Sequence, residues 1–496
     1  MNSPAETKTH LLYAANPPIA ILGVPFDNVT TSEAVALVEQ MVASRRPHYM
    51  VTANVDFLVQ AQEDVELRRI LFDAHLVLCD GTPLVWASRL LGNPLPERVA
   101  GADLVPLLVR IAAARNYRLF FLGGTPESTS QAIARIKAEH PNLSTDGYSP
   151  PFNKLLEMDH EEIKRRIAEA KPDFLFVSFG CPKQEKWINM HYQSLGVPVS
   201  AGVGATIDFL AGQVKRAPTW MHRTGAEWLF RLAQEPRRLL RRYIKDLWVF
   251  GWTILAQWWQ LQFRRNRSTA TRAVSTPVQA ADTWQWIKLP ERLDMTAVRD
   301  DVLLLDQVLA DGRHCLLEMA NVQFIDSTGI GLLIRLQKKI RVTERQLILL
   351  APSPVVLRAL ALMHLQDFFA SAGDLAAAQQ LIAARAVEQN VSLRTSSTQA
   401  AASLAWQGEI IAANAEEVWR LTEAQLASAT VAASGRMVID LSQVRFMDST
   451  GLGIMVRARK LAQRQGIKLA FTGVQPAVQN VLRLARLEAF LLGEQA

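Results

Sequence analysis

At 496 residues and 49% hydrophobic content, the chain is long and apolar enough for about three domains of ordinary size, which argues against a disordered polypeptide. Its three cysteines, Cys79, Cys181 and Cys315, show neither a CxxC spacing nor a pairing pattern, so neither a disulfide framework nor a zinc site is suggested. Residues 214–267 hold 12 Lys/Arg against three acids, a local net charge of +9. The whole chain carries +7, so only this segment has polyanion-binding character.

The start, MNSPAETKTH, lacks the basic, apolar and small-residue order of a secretory signal, and the chain is expected to stay on the cytoplasmic side of a membrane. From there to about residue 213, short apolar runs end in Gly, Asn or Asp: IAILGV, HYMVTAN, HLVLCDG, YRLFFLGG and DFLFVSFG. Between them lie stretches such as SEAVALVEQMVASRR and ESTSQAIARIKAEH, with apolar residues three and four apart. The alternation predicts an α/β fold with a Rossmann-like parallel sheet covered by helices. Ligands of such sheets bind beyond the carboxyl ends of the strands, where Thr52, Asn54, Asp80, Gly123, Gly124 and the SFGCPKQE turn with Gln184 fall. Taken singly, each has a plainer reading. Asp80 before Gly81 suits a turn, and FLGGTPES offers N–H groups to a phosphate without being a GxGxxG or a P-loop. No two aspartates of this segment stand two apart, so a D-x-D metal clamp is missing.

VTANVDF, CDGTPLVW, ERVAGADL, FLGGTPE, SFGCPKQE, VGATIDFLAG and KRAPTWMHRTGAEWLFRLAQEPRRLLRRY follow one another in an order that resembles the WecG/TagA/CpsF family of glycosyltransferases, over roughly residues 18–245. The last block is the most specific. Ala226 stands where the family usually has leucine, a packing change. The resemblance implies an inverting, metal-independent hexosyl transfer from a UDP-sugar, which is a substrate and not a cofactor, to an undecaprenyl-diphosphate-linked sugar. Inversion needs a base for the acceptor hydroxyl, and Asp80 is the candidate. Thr52 and Asn54 are placed to bind the acceptor or orient that carboxylate, and Arg98 to pair with sugar or carboxylate. Gly123, Gly124 and Gln184 are expected to line the donor site, with Asp208 near the nucleoside. The family's basic appendage closes over the site, so Arg231, Arg238 and Arg241 are expected to hold the lipid diphosphate; at helical spacing they share one face.

LWVFGWTILAQWWQLQF, residues 247–263, has no charge, four tryptophans and arginines on both sides. Seventeen residues sit at the lower limit for a span, and three glutamines argue against one. Tryptophan with arginine favours the membrane interface, and a helix buried against another domain is the alternative. The expected location is peripheral, on the inner face of the cytoplasmic membrane.

NRSTATRAVSTPVQAAD (266–282) and EQNVSLRTSSTQAAAS (388–403) read as linkers. The segments they separate repeat one another. HCLLEMANVQFIDSTGIGLLI aligns without a gap on RMVIDLSQVRFMDSTGLGIMV, 122 residues later, and the period is too long for a solenoid. Both copies resemble the STAS family, of sulfate transporters and anti-sigma-factor antagonists. The resulting division is a transferase unit over 1–235, a basic Trp-rich appendage over 236–267, a linker over 268–282, STAS-like units over 283–387 and 404–496, and a linker over 388–403. A serine hydrolase is argued against by the lack of G-x-S-x-G and by scarce histidines. Asp-Ser is expected to cap a helix in each copy, and Ser327 and Ser449 are phosphorylation candidates on a surface offered to a kinase or anti-sigma factor. Nucleic acid is not expected as a partner, and a homo-oligomer is compatible with the pattern. The competing reading is a regulatory scaffold whose first domain binds a sugar nucleotide without catalysis.

Overall fold

The computed structural model describes residues 16–214, 227–234, 236–262, 276–280, 284–295, 312–341, 345–388, 393–398, 401–428 and 435–493, with 221, 297, 298 and 431 between them. The first unit opens with a hairpin, β1 (Ile19–Ile21) and β2 (Val24–Phe26), then α1 (Thr31–Ser44), β3 (His48–Ala53), α2 (Val55–Glu63), α3 (Val65–Asp73), β4 (Leu76–Cys79) and α4 (Thr82–Leu90). It continues through α5 (Gly101–Arg115), β5 (Leu119–Gly123), α6 (Pro126–Glu139), β6 (Thr145–Tyr148), α7 (His160–Ala170), β7 (Phe174–Ser178), α8 (Lys183–Leu195), β8 (Val199–Gly202) and α9 (Thr206–Ala211).

Six of these strands form one parallel sheet in the order β4, β3, β8, β7, β5, β6. Its strands read as unbroken apolar runs because helices cover both faces. Val38, Leu104, Leu108, Ile136 and Ile207 lie on one face, and Leu58, Leu71, Leu84, Trp187 and Ile188 on the other. The doubly wound topology predicted from the alternation is therefore present.

Among the elements described in full, α10 (Glu227–Gln234) and α11 (Pro236–Gln262) come next. Helix α11 is two-faced. Asp246, Phe250, Ile254 and Gln257, three or four apart, are buried, and Phe250 and Ile254 join the core beside α2. Leu240, Ile244, Leu247, Trp248, Trp252, Leu255 and Trp259 form an exposed stripe on the other side, with Trp248 77% and Trp252 73% exposed. The buried-helix alternative describes one face, and the exposed stripe is the face on which the interface reading rests. No described helix is long and apolar enough to cross a membrane.

The repeats are two small α/β units. In the first, β15 (Ala370–Ala372), β14 (Leu347–Leu350), β12 (His314–Glu318), β10 (Trp284–Lys288) and β9 (Thr276–Ala280) form a sheet, beside a short pair of β11 (Arg292–Leu293) and β13 (Phe324–Ile325). In the second, the order is β16 (Leu393–Thr398), β17 (Ala401–Ile410), β18 (Arg436–Met447) and β19 (Lys468–Thr472). Long β18 corresponds to β12 plus β13, 122 positions earlier. Strands β9 and β16 lie inside the stretches read as linkers. Serine, threonine and alanine carry no apolar period, yet each strand needs only one antiparallel neighbour, β10 or β17, to hold it. The helices are α12 (Ser327–Arg341), α13 (Pro354–Leu362) and α14 (Leu375–Glu388), then α15 (Ala415–Leu426), α16 (Ser449–Arg464), α17 (Pro476–Leu484) and α18 (Glu488–Leu492).

The D-S-T-G turns cap their helices, as expected of Asp-Ser, and differ from expectation in where the serines lie. The aspartates do the capping: Asp326 Oδ1 accepts from Thr328 N and Gly329 N, and Asp448 Oδ1 from Thr450 N and Gly451 N. The serines do not face outward. Both are buried, Ser327 against α11, where Gln257 Nε2 donates to its Oγ at 2.9 Å, and Ser449 against α3, where it donates to Glu66 through N (2.6 Å) and Oγ (2.7 Å).

Candidate functional site

Asp80 follows β4, and its N–H donates to Ala53 O at the end of β3, so the two strand ends stay in register just where they stop. The loop after α4 returns past the same point, with Val99 N donating to Cys79 O, and this sets Arg98 beside the carboxylate: Arg98 Nη1 lies 4.0 Å from Asp80 Oδ1 and Nη2 lies 3.0 Å from Asp103 Oδ2. Helix α5 has no side-chain cap of its own. Instead, Gly101 N, in its first turn, donates to Asp80 Oδ2 at 3.3 Å, so the carboxylate sits at the positive end of a 15-residue helix. A Cβ on Gly101 would stand 3.0 Å from Thr52 Oγ1, which brings Thr52 into the same cluster. Asn54 Oδ1 caps α2 by accepting from Phe57 N at 3.4 Å, and its backbone lies against Gly81.

A second group lies along the same edge. Gly123 (φ +95°) has no room for a Cβ, which would meet Ser178 O at 2.5 Å. Gly124 N, offered to a phosphate by the sequence reading, instead donates to Ser178 O at 3.1 Å. The loop therefore contributes shape and its remaining groups, not that N–H. Thr125 caps α6. Gly124 faces Ile207 in α9, the helix that carries Asp208. Gln184 does not point its oxygen at a ligand: Oε1 accepts from Gly180 N (3.1 Å) and Gly204 N (3.2 Å), and Nε2 donates to Glu185 Oε1 (2.7 Å). It braces the walls formed by the β7 and β8 loops. From β4 to β5 there are four strand spacings, about 19 Å, room for a sugar nucleotide at one end and an acceptor at the other.

Arg231 lies in α10 and Arg238 and Arg241 in α11, so the single shared helix face is divided between two elements; the side chains of Arg231 and Arg238 lie outside the described residues, and Arg241 is exposed. Glu185 escaped the sequence reading. It is buried, one oxygen has no partner among the described residues, and burial pushes its carboxyl up to about 7. Its neighbour Gln184 was selected only for its motif, and a glutamate in a first helical turn gives no separate signal.

Residues 19–264 match the model of the glycosyl transferase WecG/TagA/CpsF family, and residues 286–378 and 394–494 each match the STAS domain. An N-acetylglucosaminyldiphosphoundecaprenol N-acetyl-beta-D-mannosaminyltransferase of Staphylococcus aureus (strain MW2) is 31% identical over 238 residues, covering 48% of this chain and 91% of its own. A relative with the same name from Bacillus spizizenii is 34% identical over 193 residues, covering 39% of this chain and 74% of its own. A solved anti-sigma-factor antagonist (STAS) domain protein from Planctomyces limnophilus aligns at 22% identity over 23% of this chain and 99% of its own, with a TM-score of 0.20. The chain belongs to the WecG/TagA/CpsF family of glycosyltransferases and carries two STAS domains behind its transferase domain.

Proposed function

We propose that this glycosyltransferase moves a hexosyl unit of the N-acetylmannosamine type from a UDP-sugar to N-acetylglucosaminyldiphosphoundecaprenol, with inversion and without a metal, in the assembly of a surface polysaccharide. The acceptor and the sugar type come from the names of the relatives. The observation that carries the reading is the cluster of Thr52, Asp80, Arg98 and Gly101 at the carboxyl edge of the sheet. Asp80 takes the proton of the acceptor hydroxyl as that oxygen attacks the anomeric carbon; the bond to the diphosphate breaks, and its electron pair leaves with UDP. A donor α-linked to its diphosphate gives a β-linked product by this single displacement, in keeping with the β linkage in the relatives' names. Arg98 and the α5 terminus hold the carboxylate, and Thr52 and Asn54 stand beside it for the acceptor. Charge growing on the leaving diphosphate is met at the donor site lined by the glycine loop, while Arg231, Arg238 and Arg241 hold the diphosphate of the lipid-linked acceptor. Asp208, in the helix whose Ile207 packs against Gly124, is assigned to the nucleoside.

The same reading makes the enzyme peripheral on the inner face of the membrane, with the exposed tryptophan stripe of α11 laid in the lipid interface; that stripe and the neighbouring arginines support it. For the STAS domains we infer regulation, in which a kinase or anti-sigma factor competes for the D-S-T-G ends that the transferase domain covers. Phosphate on Ser449 would face the Glu66 carboxylate, so docking and modification exclude each other.

The test supplies purified full-length protein with a panel of UDP-sugars and the lipid-diphosphate-linked acceptor. Turnover with one donor, and a fall of about 10²- to 10⁴-fold in Asp80→Asn, is expected for loss of a general base. No turnover with any donor, or an unimpaired Asp80→Asn enzyme, defeats the assignment.

A further inference from the structure

Helix α3 joins the two STAS domains to the strand that delivers Asp80. At its start, the buried Glu66 receives Ser449 N and Oγ of the second STAS domain and Lys186 Nζ (2.8 Å) of α8. One turn on, Arg69 pairs with Glu409 of the same STAS domain at 2.6 Å and lies over Phe446. Arg68 Nη1 reaches His364 O of the first STAS domain, and Phe72 packs on Phe368 and Phe369. At the end of α3, Asp73 takes both contacts of Arg341 Nη1, at 2.8 and 3.0 Å, and the next residue, Ala74, accepts from Lys338 Nζ at 2.7 Å. Both cations stand on α12 of the first STAS domain. Two residues after Ala74 the chain enters β4, and Asp80 is the residue that follows it.

Among the described residues, strand β4 is the edge of the sheet, with β3 as its one ladder neighbour. An interior strand is fixed from two sides. This one is steadied on its open side by Asp27, whose Oδ2 accepts from Val77 N and whose N–H donates to Val77 O, and at its foot by Lys338. Catalytic groups act only when held within about half an ångström of the productive geometry, so support at the foot of an edge strand reaches the carboxylate at its head.

We propose that the STAS domains are positioning elements for the transfer reaction: Lys338 and Arg341, with the Ser449 contact at the other end of α3, set the place of Asp80 through α3 and β4. The proposal rests on the reading of Asp80 as the base. Loss of STAS docking then lowers turnover while the donor site, four strands away, stays formed.

A charge-swap cycle tests it in the full-length protein: Arg341→Asp, Asp73→Arg and the double variant. Each single variant should lose about tenfold in kcat with the KM for UDP-sugar little changed, and the double variant should recover to within about threefold. Hydrogen exchange of the amides of residues 76–80 should speed up in the singles and slow again in the double. Normal kcat and normal exchange in both singles overturn the proposal. If the wild-type protein turns over no donor, the assignment of Asp80 fails, and the exchange data alone decide the relay: unchanged protection at 76–80 rejects it, and loss restored by the swap supports it. A single-variant loss that the double does not restore also rejects it, since the pair would then not carry the effect.

Discussion

The two D-S-T-G-x-G motifs are nearly identical in sequence, yet the last glycine of each should answer the same substitution with opposite sign. A Cβ on Gly331 would lie 2.3 Å from Pro18 O and 2.9 Å from its carbonyl carbon, atoms of the backbone entering β1 that cannot rotate away. On Gly453 the nearest atom would be Leu156 Cδ2 at 3.7 Å, an ordinary contact. In an interior helical position alanine is favoured over glycine by about 1 kcal/mol. At 453 that gain is realised, so Gly453→Ala should be neutral or more stable by up to about 1 kcal/mol. At 331 an overlap of about 1 Å forces α12 and the hairpin apart, and overpacking of this kind costs about 1–3 kcal/mol or more, which outweighs the same gain. Both variants would be compared with wild type by urea unfolding followed through tryptophan fluorescence, and by limited proteolysis of the native protein. Gly331→Ala should unfold at lower urea and expose new cleavage between the transferase and first STAS domains. Equal stability of the two variants, or a more stable Gly331→Ala, would refute the close docking of α12 on β1.

Replacing Trp248 and Trp252 together by alanine should weaken binding to anionic vesicles by at least about tenfold while UDP binding persists; unchanged flotation would place the lipid contact elsewhere. Ser449→Asp sets a carboxylate against Glu66 and Asp448, and small-angle scattering should show an extended molecule where Ser449→Ala stays compact; equal profiles would remove the charge argument. Burial, with Glu66 second, pushes Asp448 up to about 6, so the folded state holds its proton more tightly than the unfolded one. The stability this group contributes should therefore be fully present below about pH 4 and be lost as pH rises through 6, about 3 kcal/mol in all. Asp448→Asn keeps a capping oxygen, loses the Ala412 N–H contact, and should flatten that slope in pH-dependent melting; an unchanged slope would assign it to other groups.

The sheet, the order of its site residues and the tandem repeat were legible because each leaves a periodic or motif signal along the chain. Asp80 and Thr52 fall where parallel strands end, and strand ends can be read from apolar runs. Arg98 was legible through its motif alone, because its nearness to Asp80 depends on Val99 bridging back to Cys79. The contacts between domains had no such signal. Glu66 is one acid in an amphipathic helix, and Gln257 is one of three glutamines that argue against a membrane span, yet the first receives Ser449 and the second donates to Ser327. Side chains that serve a surface far away in sequence obey the geometry of that surface and not the period of their own helix. The burial of the D-S-T-G serines was hidden for the same reason: local chemistry names a helix cap, which Asp326 and Asp448 supply, and says nothing of the neighbour that covers it.

Ala20 and Phe72 belong to the transferase domain by sequence, but they are buried in the apolar core of the first STAS domain, among Ile287, Leu317, Ile330 and Phe369. A module completed by residues of its neighbour has ceased to be portable. Cutting the gene between the two coding regions would leave each product with an open hydrophobic wound, so recombination that moves the STAS pair to another enzyme would have to carry a matching hairpin and helix with it. Fusion of this kind therefore tends to become irreversible: once side chains have been traded across the boundary, the transferase and its appendages must be inherited, expressed and degraded as one object.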